Sequence, residues 1–145
     1  MIRIATLDDI PAIVALGSRS MVDGPYAGKA KDNPEQSARL ARYIIEGVGR
    51  VFLWELNGHA CGIMALILFD HHFTADKTVQ ELIWYVEPEH RRSSAGLDLY
   101  IEAKKWAREM GAKFLQFSAP TEQVGQMYVR DGFDKMEVLY QKELR

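Results

Sequence analysis

Apolar residues recur along this chain at two spacings, and the spacing switches from element to element. Residues 2–5 predict a short first strand. Thr6-Leu7-Asp8-Asp9 then has the form of a capping box, and Ile10, Ile13, Val14 and Leu16 follow at helical spacing. Pro11 is tolerated there because it falls near the first turn. Two glycines, a proline and an aspartate break the periodicity over residues 21–32, predicting a loop. Asn33 as cap, Pro34 in the first turn and Gln36 at the capping-box position open a second helix. Its apolar stripe is Leu40, Ala41, Tyr43 and Ile44, and Gly47 closes it.

Residues 50–56 predict a strand, Asn57-Gly58 a tight hairpin turn, and residues 59–69 the return strand. After a polar turn over 71–77, a third strand is expected over 79–86, completing an antiparallel meander. Residues 95–110 read as a long helix, with Leu97, Tyr100, Ile101, Ala103, Ala107 and Met110 inward. Asp98, Glu102, Lys105 and Glu109 mark its wet side, and Gly111 its end. A strand over 114–118 follows the helical crossover, so it is expected parallel to its predecessor. A last helix over 121–131 stops at Gly132, and residues 138–144 predict a final strand. The succession is that of an α/β or α+β mixed-sheet domain.

Composition narrows the function more than the fold. The 145 residues suit one domain, 1–145, with 48% hydrophobic residues to fill a core. A net charge of -2 gives no footing to a nucleic-acid binder that works through phosphate contacts. Residues 1–10 lack the basic-then-apolar order of a signal peptide, and no apolar run reaches membrane-span length. One cysteine, Cys61, excludes an intrachain disulfide, and a cytoplasmic location is expected.

Chemistry concentrates in WYVEPEHRRSSAGLDLYIEA, where a strand stops at Pro88 and a loop of small residues leads into a helix. Helix-start amides lack intrahelical acceptors, small residues admit an anion, and Arg91 and Arg92 add charge. On these residues alone two readings stand: a phosphate cradle, or a capped loop with its arginines in solvent. No G-x-x-x-x-G-K-[ST] occurs, and no G-x-G-x-x-G follows the first strand, so neither a P-loop nor a Rossmann site is indicated.

Val86, Pro88, Arg91, Ser94 and Gly96 resemble the acetyl-CoA motif V-x-P-x-x-[QR]-x-x-G-x-[GA] of the GNAT superfamily. Ser94 stands where a glycine is usual; serine keeps its amide but is strained at positive φ. Tyr128, Gly132 and Phe133 in QMYVRDGF resemble the second family signature, with Thr121 in place of a frequent asparagine. The order of elements is similar along almost the whole chain. The resemblance implies a GNAT-like acyl-CoA N-acyltransferase fold, an antiparallel meander plus a parallel, splayed strand pair flanked by about four helices. It also implies acetyl transfer from acetyl-CoA to a primary amine of a small molecule or peptide, by direct attack. A homodimer is among the partners it implies, since members often pair through strand or helix contacts.

Residue by residue, the resemblance implies that Arg91, Arg92, Ser93, Ser94, Ala95 and Gly96 hold the pyrophosphate. The backbone of Trp84, Tyr85 and Val86 would pair with the pantetheine, and an amide of Tyr85 or Val86 would polarise the thioester. Tyr128 takes the position of the general acid, against a plain packing role. Glu81 is the candidate base, against an edge carboxylate in solvent or proton loss through water. Glu87 and Glu89 are expected to be solvated. Asp23, Tyr26 and Asp70 are placed near a cationic acceptor. No metal is expected: His71 and His72 should point apart on an extended turn, and Cys61 reads as a small core residue. Ser93 and Ser94 are expected to serve the loop or the helix cap. The competing reading is a catalytically weak acyl-CoA-binding module regulating a partner, toward which Ser94 and the missing asparagine lean. Two further readings stand: an enzyme that keeps the fold but changes the acyl donor or the acceptor, and a purely structural sheet domain.

Overall fold

A computed structural model describes residues 1–145. Five strands form one sheet in the order β1 (Ile2–Ile4), β2 (Gly49–Leu56), β3 (His59–Asp70), β4 (Lys77–Val86) and β5 (Phe114–Gln116). Neighbours run antiparallel except β4 and β5, which are parallel. The helices are α1 (Ile10–Asp23), α2 (Pro34–Glu46), α3 (Ala95–Glu109) and α4 (Glu122–Arg130). The mixed sheet and four helices match the expected architecture.

Local signals act where the sequence puts them. The Asn33 side chain accepts from the Gln36 amide at 3.1 Å and opens α2. Asn57 at φ 52° and Gly58 at φ 78° make the tight turn between β2 and β3. Gly111 at φ 70° stops α3. Helix α1 runs three residues beyond its expected end, through 21–23.

Two apolar layers sandwich the sheet. One face carries α1 and α2, with Ile13, Leu16 and Ile44 against Leu53 and Ile63. The other carries α3, with Leu99, Ala103 and Trp106 against Trp54, Met64 and Val86. The buried stripe of α3 is Ala95, Leu99, Tyr100, Ala103, Trp106 and Ala107, whereas Leu97 and Ile101 are exposed. Apolar residues surround most of this helix, so periodicity alone misplaces the stripe; small alanines under the helix allow its close approach to the sheet. In α2 the inward residues are Ala41 and Ile44, with Leu40 and Tyr43 exposed. Leu99 is fully buried. Leu99→Ala is expected to cost about 2–5 kcal/mol in chemical denaturation, cavity included.

The strand expected over 138–144 does not form, and residues 134–145 carry no regular structure. Strand β5 likewise stops two residues short, at Gln116.

Candidate active site

The sheet opens along β4. Its parallel pairing with β5 covers only Thr78, Val79 and Gln80, opposite Phe114, Leu115 and Gln116. Beyond Gln80, β4 stays paired with β3 on its other side and faces an open cleft. The Glu87 amide donates to the Cys61 carbonyl at 2.9 Å, which sets the alternation of the antiparallel ladder. Tyr85 therefore exchanges its bonds with Ile63, and the backbone groups of Trp84 and Val86 face the cleft. Between the two amides expected to polarise a thioester, the geometry presents Val86 and turns Tyr85 away. Arg91 Nε takes the Val86 carbonyl at 2.8 Å, leaving its amide open.

A bulge in β4 decides which side chains flank this cleft. Ala65 pairs with Ile83 and the next residue, Leu66, with Glu81, so Leu82 is the extra residue. An inserted residue reverses the facing of everything beyond it. Val79, Trp84 and Val86 thus share the α3 face, and Glu81 lies with them; Tyr85 falls on the α1 face.

The loop after β4 supplies amides. Pro88–His90 forms one 3-10 turn, and α3 begins at Ala95. The amides of Arg92, Ser94, Gly96 and Leu97 make no hydrogen bond within the chain. Two of these donors lie in the loop and two in the first turn of a fifteen-residue helix, the end where amides and dipole favour negative charge. Ser93 Oγ donates to the His90 carbonyl at 2.6 Å and accepts from the Ala95 amide at 3.2 Å, the loop role expected of it. Ser94 sits at φ -76°, in the right-handed region, so serine brings no strain at the position where glycine is usual. Its Oγ donates to Asp98 at 2.7 Å, and Asp98 also accepts from Trp54 Nε1 at 3.0 Å. Asp98, expected on the wet side, instead ties the helix start to the sheet. Arg91 lies 5.4 Å from the Tyr85 ring centre, so it braces the loop, while Arg92 is exposed and unpaired.

Glu81 and Tyr128 both reach Ser118, beside the point where β4 and β5 part. Glu81 is buried, and loss of solvation pushes its carboxyl up to about 7, the Ser118 backbone pulling the other way. Tyr128 is buried among Trp84, Tyr100, Phe117 and Phe133, and its hydroxyl donates to the Ser118 carbonyl at 3.0 Å. Burial first, and the Glu81 charge second, raise the Tyr128 phenol well above its usual range, so it keeps its proton. Helix α4 is held in place from both ends. Thr121 accepts from the Val124 amide at 3.3 Å, and Asp131 accepts from Tyr100 and Lys104 of α3, each at 2.6 Å.

A strand that splays from its parallel neighbour, free amides at the following helix and a buried Glu–Tyr pair are now joined by a direct match. The acetyltransferase (GNAT) family model covers residues 20–133. The chain belongs to the GNAT acetyltransferase family. It is therefore an acyl-CoA-dependent acetyltransferase. Solved structures share its fold. A predicted acetyltransferase from Clostridium acetobutylicum, crystallised with acetyl-CoA, superposes with a TM-score of 0.82 at 16% identity over 99% of this chain and 96% of that one. The aminoglycoside antibiotic 6'-N-acetyltransferase from Acinetobacter haemolyticus gives 0.74 at 16% identity over 100% and 99%. A soil-metagenome aminoglycoside acetyltransferase gives 0.77 at 13% identity over 100% and 96%. No curated protein matches the sequence.

Elsewhere the acetyltransferase departs from expectation. Glu87 is buried rather than solvated: it pairs with Arg19 and lies 2.9 Å from His59 Nε2. Nothing local in the sequence signals this, because Arg19 is 68 residues away. Cys61 is buried as expected, and burial raises its thiol pKa. Its sulfur lies within 4.8 Å of ligand atoms of Glu87 and His90, but the Glu87 carboxylate is engaged by Arg19 and His59. His71 and His72 do not point apart; their rings stack at 4.6 Å in a turn that Ala75 closes at φ 60°.

The three acceptor candidates do not converge. Asp23 accepts from the Tyr85 hydroxyl at 2.6 Å and faces Arg91 at 3.6 Å, on the α1 side. Tyr26 follows it in an exposed turn. Asp70 pairs with Lys77 at the opposite end of β4. The eight residue steps from Lys77 to Tyr85 put roughly 25 Å between these ends. One small amine cannot bridge Asp23 and Asp70. No helix is long and apolar enough to cross a membrane.

Proposed function

We propose that this acetyltransferase moves the acetyl group of acetyl-CoA onto a primary amine of a small molecule or peptide by direct attack, within one domain spanning 1–145. The observation that carries the reading is the cleft between β4 and β5, with Glu81 and Tyr128 beside its apex. The pyrophosphate would sit on the free amides of Arg92, Ser94, Gly96 and Leu97, the pantetheine along Trp84 and Val86. The Val86 amide is the donor for the thioester carbonyl. Glu81, with a proton affinity near neutral pH, takes the amine proton directly or through water. Tyr128, held protonated, donates to the departing thiolate. Because Tyr128 is bonded to the Ser118 carbonyl, that bond exchanges for the thiolate during the reaction.

A small-molecule acceptor is favoured by the two aminoglycoside acetyltransferases that share the fold. Asp70 is withdrawn as a partner of Asp23 in holding it. The binding-module alternative leaned on Ser94 and Thr121; Ser94 is unstrained, and Thr121 caps α4.

Calorimetry with acetyl-CoA tests the cradle. A Cβ at Gly96 would meet Val86 Cγ2 at 3.9 Å and Trp84 Cζ2 at 4.0 Å, ordinary contacts, so Gly96→Ala should fold and bind. Gly96→Trp drives a large ring between the helix start and Val86 and Trp84, along the path given to the pantetheine, and is expected to weaken binding by at least about 100-fold. Equal affinities for Gly96→Trp and wild type would move the cofactor site elsewhere.

A further inference from the structure

The last turn of α1 points two charged side chains at the loop after β4. Arg19 and Asp23 stand four residues apart and so share one side of the helix. Arg19 pairs with Glu87 and, at 3.3 Å, with Glu89. Asp23 Oδ2 accepts from the Tyr85 hydroxyl at 2.6 Å and lies 3.6 Å from the Arg91 guanidinium. Every contact across this seam is attractive, because the cation meets two carboxylates and the carboxylate meets a phenol and a cation. The residues by which α1 exceeds its expected length, 21–23, are what bring Asp23 to the seam. A Cβ on the next residue, Gly24, would meet the Ser20 carbonyl oxygen at 2.6 Å, so glycine lets the chain leave the helix at that point.

These partners put Asp23 on the donor side of the cleft. Tyr85 is buried; burial first, and the Asp23 bond second, raise its phenol to about 12, so it stays a hydrogen-bond donor. Arg91 is fixed from three directions. Its Nε donates to the Val86 carbonyl at 2.8 Å, its guanidinium lies 5.4 Å from the Tyr85 ring centre, and Asp23 faces its far end. The residue after it, Arg92, carries the first of the free amides. A cationic acceptor at Asp23 would instead meet a carboxylate already faced by Arg91 and bonded by Tyr85. Four residue steps separate Tyr85 from Glu81, up to roughly 13 Å of strand, so an amine held at Asp23 lies out of hydrogen-bond reach of the base.

We propose that Asp23 is a positioning residue for acetyl-CoA, a role that rests on the cofactor site proposed above. Through Tyr85 and Arg91 it fixes the Val86 backbone and the loop that follows, and it takes no part in holding the acceptor. This moves Asp23, a sequence candidate for the acceptor, to the other substrate. Arg19, one turn earlier, holds the same loop through Glu87 and Glu89. Without the Tyr85–Asp23 bond, Arg91 loses the stop at its guanidinium end. The amides of Arg92 and Ser94 are then less ordered before the pyrophosphate arrives, and binding has to supply that order.

Calorimetry of the full chain with acetyl-CoA tests this with the acceptor still unidentified. Tyr85→Phe removes the hydroxyl and changes no charge, and its Kd should rise about 5–10-fold. Asp23→Ala also removes a negative charge near the pyrophosphate, which favours binding and offsets part of its loss. That charge effect is the same with or without the Tyr85 hydroxyl, so a double-mutant cycle cancels it. In the Asp23→Ala background, Tyr85→Phe should change Kd by less than about twofold. A contact that only stabilises the fold would lower the urea midpoint and leave the Kd of the folded protein unchanged, and that result overturns the proposal. So does a Tyr85→Phe effect that persists in full in Asp23→Ala, because Tyr85 then acts through another group. Gly96→Trp, measured beside them, tells the two failures apart. If it loses acetyl-CoA while Tyr85→Phe binds as wild type does, the cofactor site stands and the role of Asp23 falls. If Gly96→Trp itself binds as wild type does, the site falls and the role of Asp23 with it.

Discussion

Tyr128→Phe is expected to lower kcat by about 10²–10⁴-fold while leaving acetyl-CoA affinity unchanged. The phenol sits in an aromatic pocket that keeps the ring in place without its hydroxyl. Its one hydrogen bond, to the Ser118 carbonyl, is worth about 1 kcal/mol in stability, so the variant folds. What the ring loses is the proton that burial and Glu81 keep on it. Thiol release at saturating amine, measured beside calorimetry, separates the two effects. A kcat within about a factor of three of wild type would reduce Tyr128 to a packing residue.

Glu81→Gln should separate wild type and variant in two ways, both tied to pH. The buried carboxyl titrates near 7 in the folded protein against an ordinary 4.5. As a base it acts only when ionised, so wild-type kcat/KM should rise through about pH 7, and the variant should lose that limb and fall by about 10²-fold. Stability moves the other way. Between about pH 4.5 and 7 the folded state holds a proton that the unfolded chain has lost, so wild-type stability declines as pH rises. Above about pH 7 the full cost of an ionised, desolvated carboxylate applies, on the order of 3 kcal/mol. Glutamine stays neutral. The variant should therefore match wild type near pH 4 and exceed it in stability near pH 8, in urea melts at both values. Parallel stabilities across that range would mean that Glu81 is solvated. A stability gain without loss of the pH–rate limb would hand proton removal to water.

The two variants probe one cleft. Burial and the Glu81 charge both raise the Tyr128 pKa, so ionising the carboxylate helps the phenol keep its proton. The base ionises while the acid stays protonated, which is the division of labour that direct transfer requires.

Local chemistry in the sequence determined much of this protein. Asn33 and Thr121 cap helices through their own side chains, and Asn57-Gly58 turns a hairpin through its own φ angles. Pro88, two serines and Gly96 make a loop and helix start in which the amides of Arg92, Ser94, Gly96 and Leu97 are free. Such signals act over three or four residues, so they can be read in order along the chain. The Val86–Gly96 and Tyr128–Phe133 motifs pointed to the family for the same reason.

Tertiary structure decided what depends on register and on distant partners. The extra residue at Leu82 sets which face Glu81, Trp84 and Tyr85 occupy, and nothing in LIWYV marks it. Glu87 is buried because Arg19 and His59 reach it from α1 and β3. The inward stripe of α3 includes Trp106 and excludes Leu97 because the sheet selects among several apolar sides. Asp23 and Asp70 close α1 and β3 at opposite ends of β4, although in the sequence each borders a polar loop. In residues 134–145 the strand pattern was correct as a pattern, but a strand exists only where an edge pairs with it. Periodicity records which side of a segment must be buried; the partner that buries it is a long-range fact of the fold.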